Sequence, residues 1–483
     1  MGFQQGLSGL NAASKSLDVI GNNVANSSTV GFKESQAQFA DVYASSLSGG
    51  GNQAGIGVKV ATIAQQFTQG NISTTNNSLD MAISGSGFFR MDNNGSITYS
   101  RNGQFQQDKN GFIVDSQGNN LTGFLPNATG AILATTPGPI QISTADLLPR
   151  STANIVAGLN LDARSAIPSV APFDPTNPLT FNNSTSTTIY DSLGGSHVAS
   201  LYFVKTGTNA WNQYLTVDGI SVPMAPALPA LPPAQPLAFS TSGVLTSPVN
   251  AVSSSSFVPQ SAPITLAGSS TTNGSTTVTV PSTTGLLVGA TVTGAGIPAG
   301  ATIATITPPA TITLSAAATA TNGGVILTAT NPAGAAPQTV SFNFSSTSQF
   351  GSTFGVNAMT QDGYTSGHLT GFSTGSDGIV TGRYSNGQTR NLAQVVLANF
   401  TDKQGLLPLG DNQWAETSTS GAPLVGVPGS ASLGLLQTSA TEDSNVDLTA
   451  ELVNMITAQR AYQANAQTIK TQDQVLQTIV NLR

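Results

Sequence analysis

The stretch GFSTG (371–375) fits the Gly-x-Ser-x-Gly pattern of a nucleophile elbow, with Ser373 as the nucleophile and His368 and Asp377 close by in sequence. Acyl transfer through such an elbow needs a strand before the serine, a helix after it and a triad histidine later in the chain. Here the sequence runs on as SDGIVTG, a turn leading into a strand, and no histidine follows His368. A serine hydrolase using Ser373 is thus the remote alternative. GAGIPAG (294–300) has the glycines of a phosphate loop without the spacing, and Pro298 blocks the helix start that loop requires. The two histidines, His197 and His368, lie in separate segments without companion ligands, and DNNG (92–95) reads as a hairpin turn rather than a calcium loop. Cysteine is absent, which removes thiolate nucleophiles, zinc–thiolate sites and disulfides. The expectation is a protein that is not an enzyme, with no catalytic residue, metal or cofactor.

The chain that would have to position such groups has 483 residues, more than one core usually organises, so several domains are expected. Charged residues make up only 8% and the net charge is −7, which argues against nucleic acid as a partner. No segment approaches the roughly 18 apolar residues of a membrane span, and the first residues lack the basic and apolar regions of a cleaved signal peptide. By these signals alone the protein would be called cytoplasmic, an expectation that the resemblance given below overrides.

Both ends carry helical periodicity. Phe3, Leu7, Leu10, Ser14, Leu17, Gly21 and Val24 recur at steps of four and three, a heptad seam with gaps. The last segment repeats the spacing at Leu448, Leu452, Met455, Gln459, Tyr462, Ala466, Ile469, Asp473, Leu476 and Val480, with Asn445 or Asp447 as its cap. The other face of that helix holds Gln459, Gln463, Gln467, Gln472, Gln474 and Gln477, amides that tolerate contact better than charges do. NNVANSSTVGFK (22–33) ends the first helix, and its Asn22, Asn23, Asn26 and Gly31 tolerate left-handed backbone. With Phe32 as an apolar anchor and Lys33 placed near carboxylates or carbonyls of a neighbour, this stretch is expected to be an articulated joint.

Between the ends the text reads as β-structure. Asn94-Gly95, Asn102-Gly103 and Asn110-Gly111 are spaced as in successive hairpins, and TGFSTGSDGIVTGRYSNGQTRNLAQVVLANF has a related texture. From Gly219 to Gln361 there is no Asp, Glu, Lys, Arg or His. That desert holds the Pro/Ala-rich VPMAPALPALPPAQP, then Thr/Val/Gly-rich text expected to form short strands of a small sandwich or solenoid. Read from the residues, the fold class is multidomain α+β, with seam-forming helices at both ends and mainly β-structure between them; that the terminal helices pair in a coiled-coil-like core domain, with nested, discontinuous, mainly β outer domains, is what the resemblance given below implies. The divisions which that resemblance implies are 1–70 with 432–483 (helical, with a long connecting loop), 71–150 with 360–431 and 151–250 with 336–359, while the composition marks an inserted β-domain at 251–335.

LSGLNAASKSLDVIGNNVANSSTVGFK and NVDLTAELVNMITAQRAYQANAQTIKTQDQVLQTIVNLR resemble the terminal motifs of bacterial flagellar rod and hook axial proteins. SLDMAISGSGFF with YSRNGQF resembles the first β-domain of hook and distal rod proteins, and TTIYDSLGG, VDG, QDGYTSG, YSNGQTRNLAQVVLANF and GDNQWAETSTSG resemble the hook branch of that family, while residues 251–335 match no segment usual there. The resemblance implies a homopolymer of many copies, with the terminal helices in the inner core of a curved, flexible tube that carries torque from rod to filament. A distal rod or other axial subunit is the alternative. It further implies contacts with the distal rod protein, hook cap and hook–filament junction proteins, and export through the flagellar type III apparatus to an extracellular position without a cleaved signal. No membrane insertion is expected. Seam residues Phe3, Leu7, Leu10, Leu17, Val24, Leu448, Leu452, Met455, Tyr462, Ile469, Leu476 and Val480 would then form the assembly interface.

Overall fold

The computed structural model describes residues 2–42, 55–127, 130–224, 234–259, 263–332 and 334–481. It divides into two compact units, one of residues 1–145 with 368–483 and one of residues 146–367.

In the first unit, helix α1 (Gly2–Ala25) and helix α2 (Leu448–Asn481) are the only α-helices among the described residues. Neither contains proline, and α2 starts where Asp447 caps it, its carboxylate accepting from the N–H groups of Thr449 (2.9 Å) and Ala450 (3.2 Å). The other cap candidate, Asn445, instead donates to the Gln66 carbonyl and accepts from the Glu34 N–H. After α1 a two-stranded ribbon forms from β1 (Ser35–Val42) and β2 (Gly57–Gln65).

Most of the rest of this unit is a large branched antiparallel sheet, beside which Ile72–Thr74 pairs with Ala440–Glu442 and Met81–Ser84 with Leu435–Thr438. Its main path runs through Leu369–Thr374, Ile379–Tyr384, Thr389–Val395, Asn120–Phe124, Phe88–Asn93, Ser96–Ser100, Gln413–Ala415 and Leu407–Gly410. Successive strand residues point to opposite faces, and Phe88 and Phe89 show it. Phe89 joins a core with Met81, Met91, Ile113, Leu121 and Val395, and Phe88 joins a second with Tyr99, Phe400 and Trp414. Asn94-Gly95 makes the expected tight hairpin, with φ of 51° and 93°. Asn110-Gly111 lies in a longer turn closed by Asp108, whose carboxylate accepts from the N–H groups of Asn110 and Phe112. Asn102-Gly103 makes no hairpin. Gly103 is instead pressed against the Met81 carbonyl, where a side chain would collide with backbone, so tertiary packing rather than turn geometry selects glycine.

In the second unit a five-stranded sheet built around Asn154–Asp162 and a six-stranded sheet centred on Ser196–Gly207 and Ala210–Val217 share one core of Leu159, Leu161, Leu201, Phe203, Trp211 and Phe342. The Thr/Val-rich text forms neither a sandwich nor a solenoid. Six strands between Ile264 and Thr330 make one sheet whose outer strands meet through Val292 N–H to Ala301 O (2.9 Å) and Ile303 N–H to Ala290 O (2.8 Å). This small barrel encloses its own core of Leu266, Val278, Val292, Ile303, Ile312 and Leu327. Most of the Pro/Ala-rich stretch, at 225–233, lies outside the described residues.

Candidate assembly interface

The catalytic candidates are consumed by the fold. Ser373 sits within a strand, opposite Thr381, and the chain turns directly into the next strand. Asp377 accepts from the Ile379 N–H and so closes that turn. Glycines 294, 296 and 300 serve a strand–turn–strand connection in the barrel. His197 does have companions, contrary to its isolation in the sequence. The hairpin partners bring Asp218 to its Nδ1 (2.6 Å) and Asp191 to its Nε2 (3.2 Å), so both ring nitrogens are engaged. Asp191 stands six residues before His197 in DSLGGSH, the one signal that was available.

The terminal helices pair antiparallel. Gly6 lies against Ile469, Gly9 against Asn465, and Asn23 donates to Glu451 Oε2 (3.0 Å). This intramolecular contact leaves most of the heptad seam residues outside it. On α1 the buried positions are Gly6, Ala12, Ala13, Val19, Ile20 and Asn23, and on α2 Glu451 and Ala458. Small side chains let the helix axes approach closely, and a Cβ on Gly9 would stand 2.7 Å from the Asn465 side chain. Of the large seam residues, Ile469 enters this contact, where it packs on Gly6. Phe3, Leu7, Leu448, Leu452, Tyr462 and Leu476 are each more than a third exposed, while Leu10, Leu17, Val24, Met455 and Ile469 are half-buried. The Val480 side chain lies outside the described residues. Because α1 starts only one turn before Gly6, Leu476 projects beyond its end and is 50% exposed. Val453, Ile456 and Val475 add to the uncovered apolar surface, off the heptad positions. The glutamines of α2 are exposed apart from the half-buried Gln472.

The stretch after α1 is a corner fastened to the sheet. Of its four positions that tolerate left-handed backbone, Gly31 adopts it (φ 73°), while Asn22 and Asn23 are still helical and Asn26 bonds back to the Asn22 carbonyl. A Cβ on Gly31 would stand 2.6 Å from the Asn102 backbone nitrogen, so the chain passes directly over the sheet. The Asn23 side chain both accepts from the Ser35 N–H and donates to the Ser35 carbonyl, and Phe32 is buried.

Lys33 meets a carboxylate of its own chain rather than a neighbour's. Its ammonium, with a side chain 0% exposed, donates to Glu442 Oε1 (2.6 Å) and to the Thr68 carbonyl (2.7 Å). The Arg101 guanidinium takes the other oxygen, Oε2, at 3.0 Å. Burial pulls both cations below their ordinary pKa, and Glu442 offsets this only in part. One carboxylate thereby joins the first loop, the sheet and the strand that precedes α2. These partners are separated by hundreds of residues, and no spacing in the sequence marks them.

Helices from both ends of the chain, paired and exposing apolar side chains on an otherwise β-rich body, suit a subunit made to be covered by copies of itself. Family profiles agree in order along the chain: flagella basal body rod protein over 3–33, flagellar hook protein FlgE/F/G D1 domain over 82–156, flagellar basal body protein FlaE D2 domain over 160–364, and flagellar basal body rod FlgEFG protein C-terminal over 437–482. The class is that of flagellar axial structural proteins. Over the full length of both chains the sequence is 40% identical to the flagellar hook protein FlgE of Escherichia coli K12 and 39% identical to that of Salmonella typhimurium LT2. The hook protein of Borreliella burgdorferi is 29% identical over 99% of this chain and 98% of its own. The chain belongs to the flagellar hook protein family.

Proposed function

We propose that this chain is the structural subunit of a bacterial flagellar hook, polymerising into a curved, flexible tube that transmits torque from rod to filament. The observation that carries the reading is the row of large apolar side chains left uncovered on α1 and α2. Burying a large apolar side chain contributes about 1.5–3 kcal/mol, and a row from Leu448 to Leu476 supplies a strong drive to associate with further copies. The assembly interface in this reading comprises Phe3, Leu7, Leu10, Leu17, Val24, Leu448, Leu452, Met455, Tyr462, Ile469, Leu476 and Val480. Asn22, Asn23, Asn26, Gly31 and Phe32 form the joint at which the inner helix passes into the β-structure. Ion pairing at Lys33 makes that joint a fixed elbow, so bending of the tube is taken up between subunits.

The distal rod, hook cap and hook–filament junction proteins are the proposed partners at the ends of the tube. The subunit reaches its extracellular place through the type III export apparatus. No described helix is long and apolar enough to cross a membrane, in keeping with a subunit held by its neighbours. Purified protein concentrated in physiological salt should form curved tubes visible by electron microscopy, and Leu476→Asp should abolish them while leaving the β-sheet circular dichroism unchanged. Straight tubes would assign the chain to the rod, and a monomer at all concentrations would refute self-assembly.

A further inference from the structure

A groove of about 310 Å³ opens where α1, the start of β1 and the first turns of α2 meet, with apolar walls of Val19, Ile20, Ala37 and Ala458. Glu34 and Glu451 also line it. Glu451 is 4% exposed, and its oxygens accept from Asn23 Nδ2 and Asn454 Nδ2, both at 3.0 Å. Neither carboxylate meets a cation among the described residues, in contrast to Glu442 with its two. The first turn of α2 eases the charge on Glu451 through its aligned peptide dipoles. Glu34 has no such relief. Burial, and then the Glu451 charge, push its carboxyl above the usual range.

The same chain carries an unpaired cation of fitting shape. Arg460 stands nine residues after Glu451 on α2, about two and a half turns, so it points away from α1 and from its own groove. It is exposed and meets no carboxylate among the described residues, and the exposed Ile456 and Val453 lie one and two turns before it along the same side of α2. A guanidinium presents a planar fork of donors that can serve two carboxylates at once, which an ammonium does less well.

We propose that in the polymer the Arg460 guanidinium of one copy enters the Glu34–Glu451 groove of a neighbouring copy, with Val453 and Ile456 packing on the apolar walls. The inference rests on the self-assembly reading and adds to it a specific contact that sets how adjacent α2 helices are aligned. Cysteine is absent from the chain, so a Glu34→Cys, Arg460→Cys variant carries only the two test thiols. Treated as tubes with a short bis-maleimide, it should give a ladder of linked copies on a denaturing gel that neither single variant gives. Tubes without a ladder overturn the proposal.

Should that variant form no tubes, Glu34→Arg and Arg460→Glu are compared singly and together. Each alone should cut polymer yield at least about tenfold, as like charges meet, and the pair should restore most of it. Singles that polymerise normally, or a pair that stays as defective as the singles, also overturn it. Tube formation by the unmodified chain, scored in parallel, reports separately on self-assembly.

Discussion

Replacing Glu442 by Gln keeps the shape of the side chain and removes the only anion between Lys33 and Arg101. The pairs measure 2.6 and 3.0 Å with side chains 0–2% exposed, so the two cations would face each other in a site shielded from water. Breaking a buried pair in this way typically costs about 3–5 kcal/mol, because the remaining charge is uncompensated. For a unit of this size each kcal/mol lowers the melting temperature by roughly 2–4 °C, so the expected fall is about 6–20 °C. The chain has two tryptophans, Trp211 in the second unit and Trp414, almost fully buried, in the first. In a Trp211→Phe background, Trp414 fluorescence therefore follows the first unit alone. Lys15→Ala serves as the control, since its pair with Asp18 is more than half exposed on both sides and contributes under about 1 kcal/mol. A Glu442→Gln loss no larger than that of Lys15→Ala would refute the view that this triad fastens the corner.

Gly9→Leu should loosen the helix pair by about 1–3 kcal/mol, enough to offset the roughly 1 kcal/mol it gains in helix propensity, and raised amide-exchange protection in α1 and α2 would contradict this. Excising residues 264–330 should leave the rest of the second unit folded, because Ile264 and Ala329 are cross-strand partners about 5 Å apart and the barrel core is separate. Loss of the cooperative unfolding reported by Trp211 would show that the barrel supports its host. Burial, and then the hydrogen bond to Glu416, push the Tyr99 phenol well above its ordinary value. The stability this contributes is complete below the unfolded pKa of about 10 and is lost as pH rises through the folded value. The denaturation midpoint should therefore fall more steeply above pH 10 in the native chain than in Tyr99→Phe, and parallel slopes would refute the assignment.

What the sequence determined by itself is what neighbouring residues decide among themselves. The periodicities at both ends make helices, Asp447 can reach the N–H groups two and three residues on, and Asn94-Gly95 needs nothing but its own backbone to turn. Terminal motifs were enough to suggest the flagellar axial family. Tertiary structure decided which helix face is used inside the chain. Large apolar residues mark a face that wants burial without saying by whom, and glycine and alanine, which carry little signal in a periodicity, permit the closer approach and take the intramolecular contact. It also decided where charge is buried. Lys33, Arg101 and Glu442 are unremarkable in their local text, and only the path that folds the first loop over the sheet and beneath the strand leading to α2 removes all three from water together. Gly103 follows the same logic: its neighbours suggest a turn, while the Met81 carbonyl, more than twenty residues away, is the reason that no side chain fits.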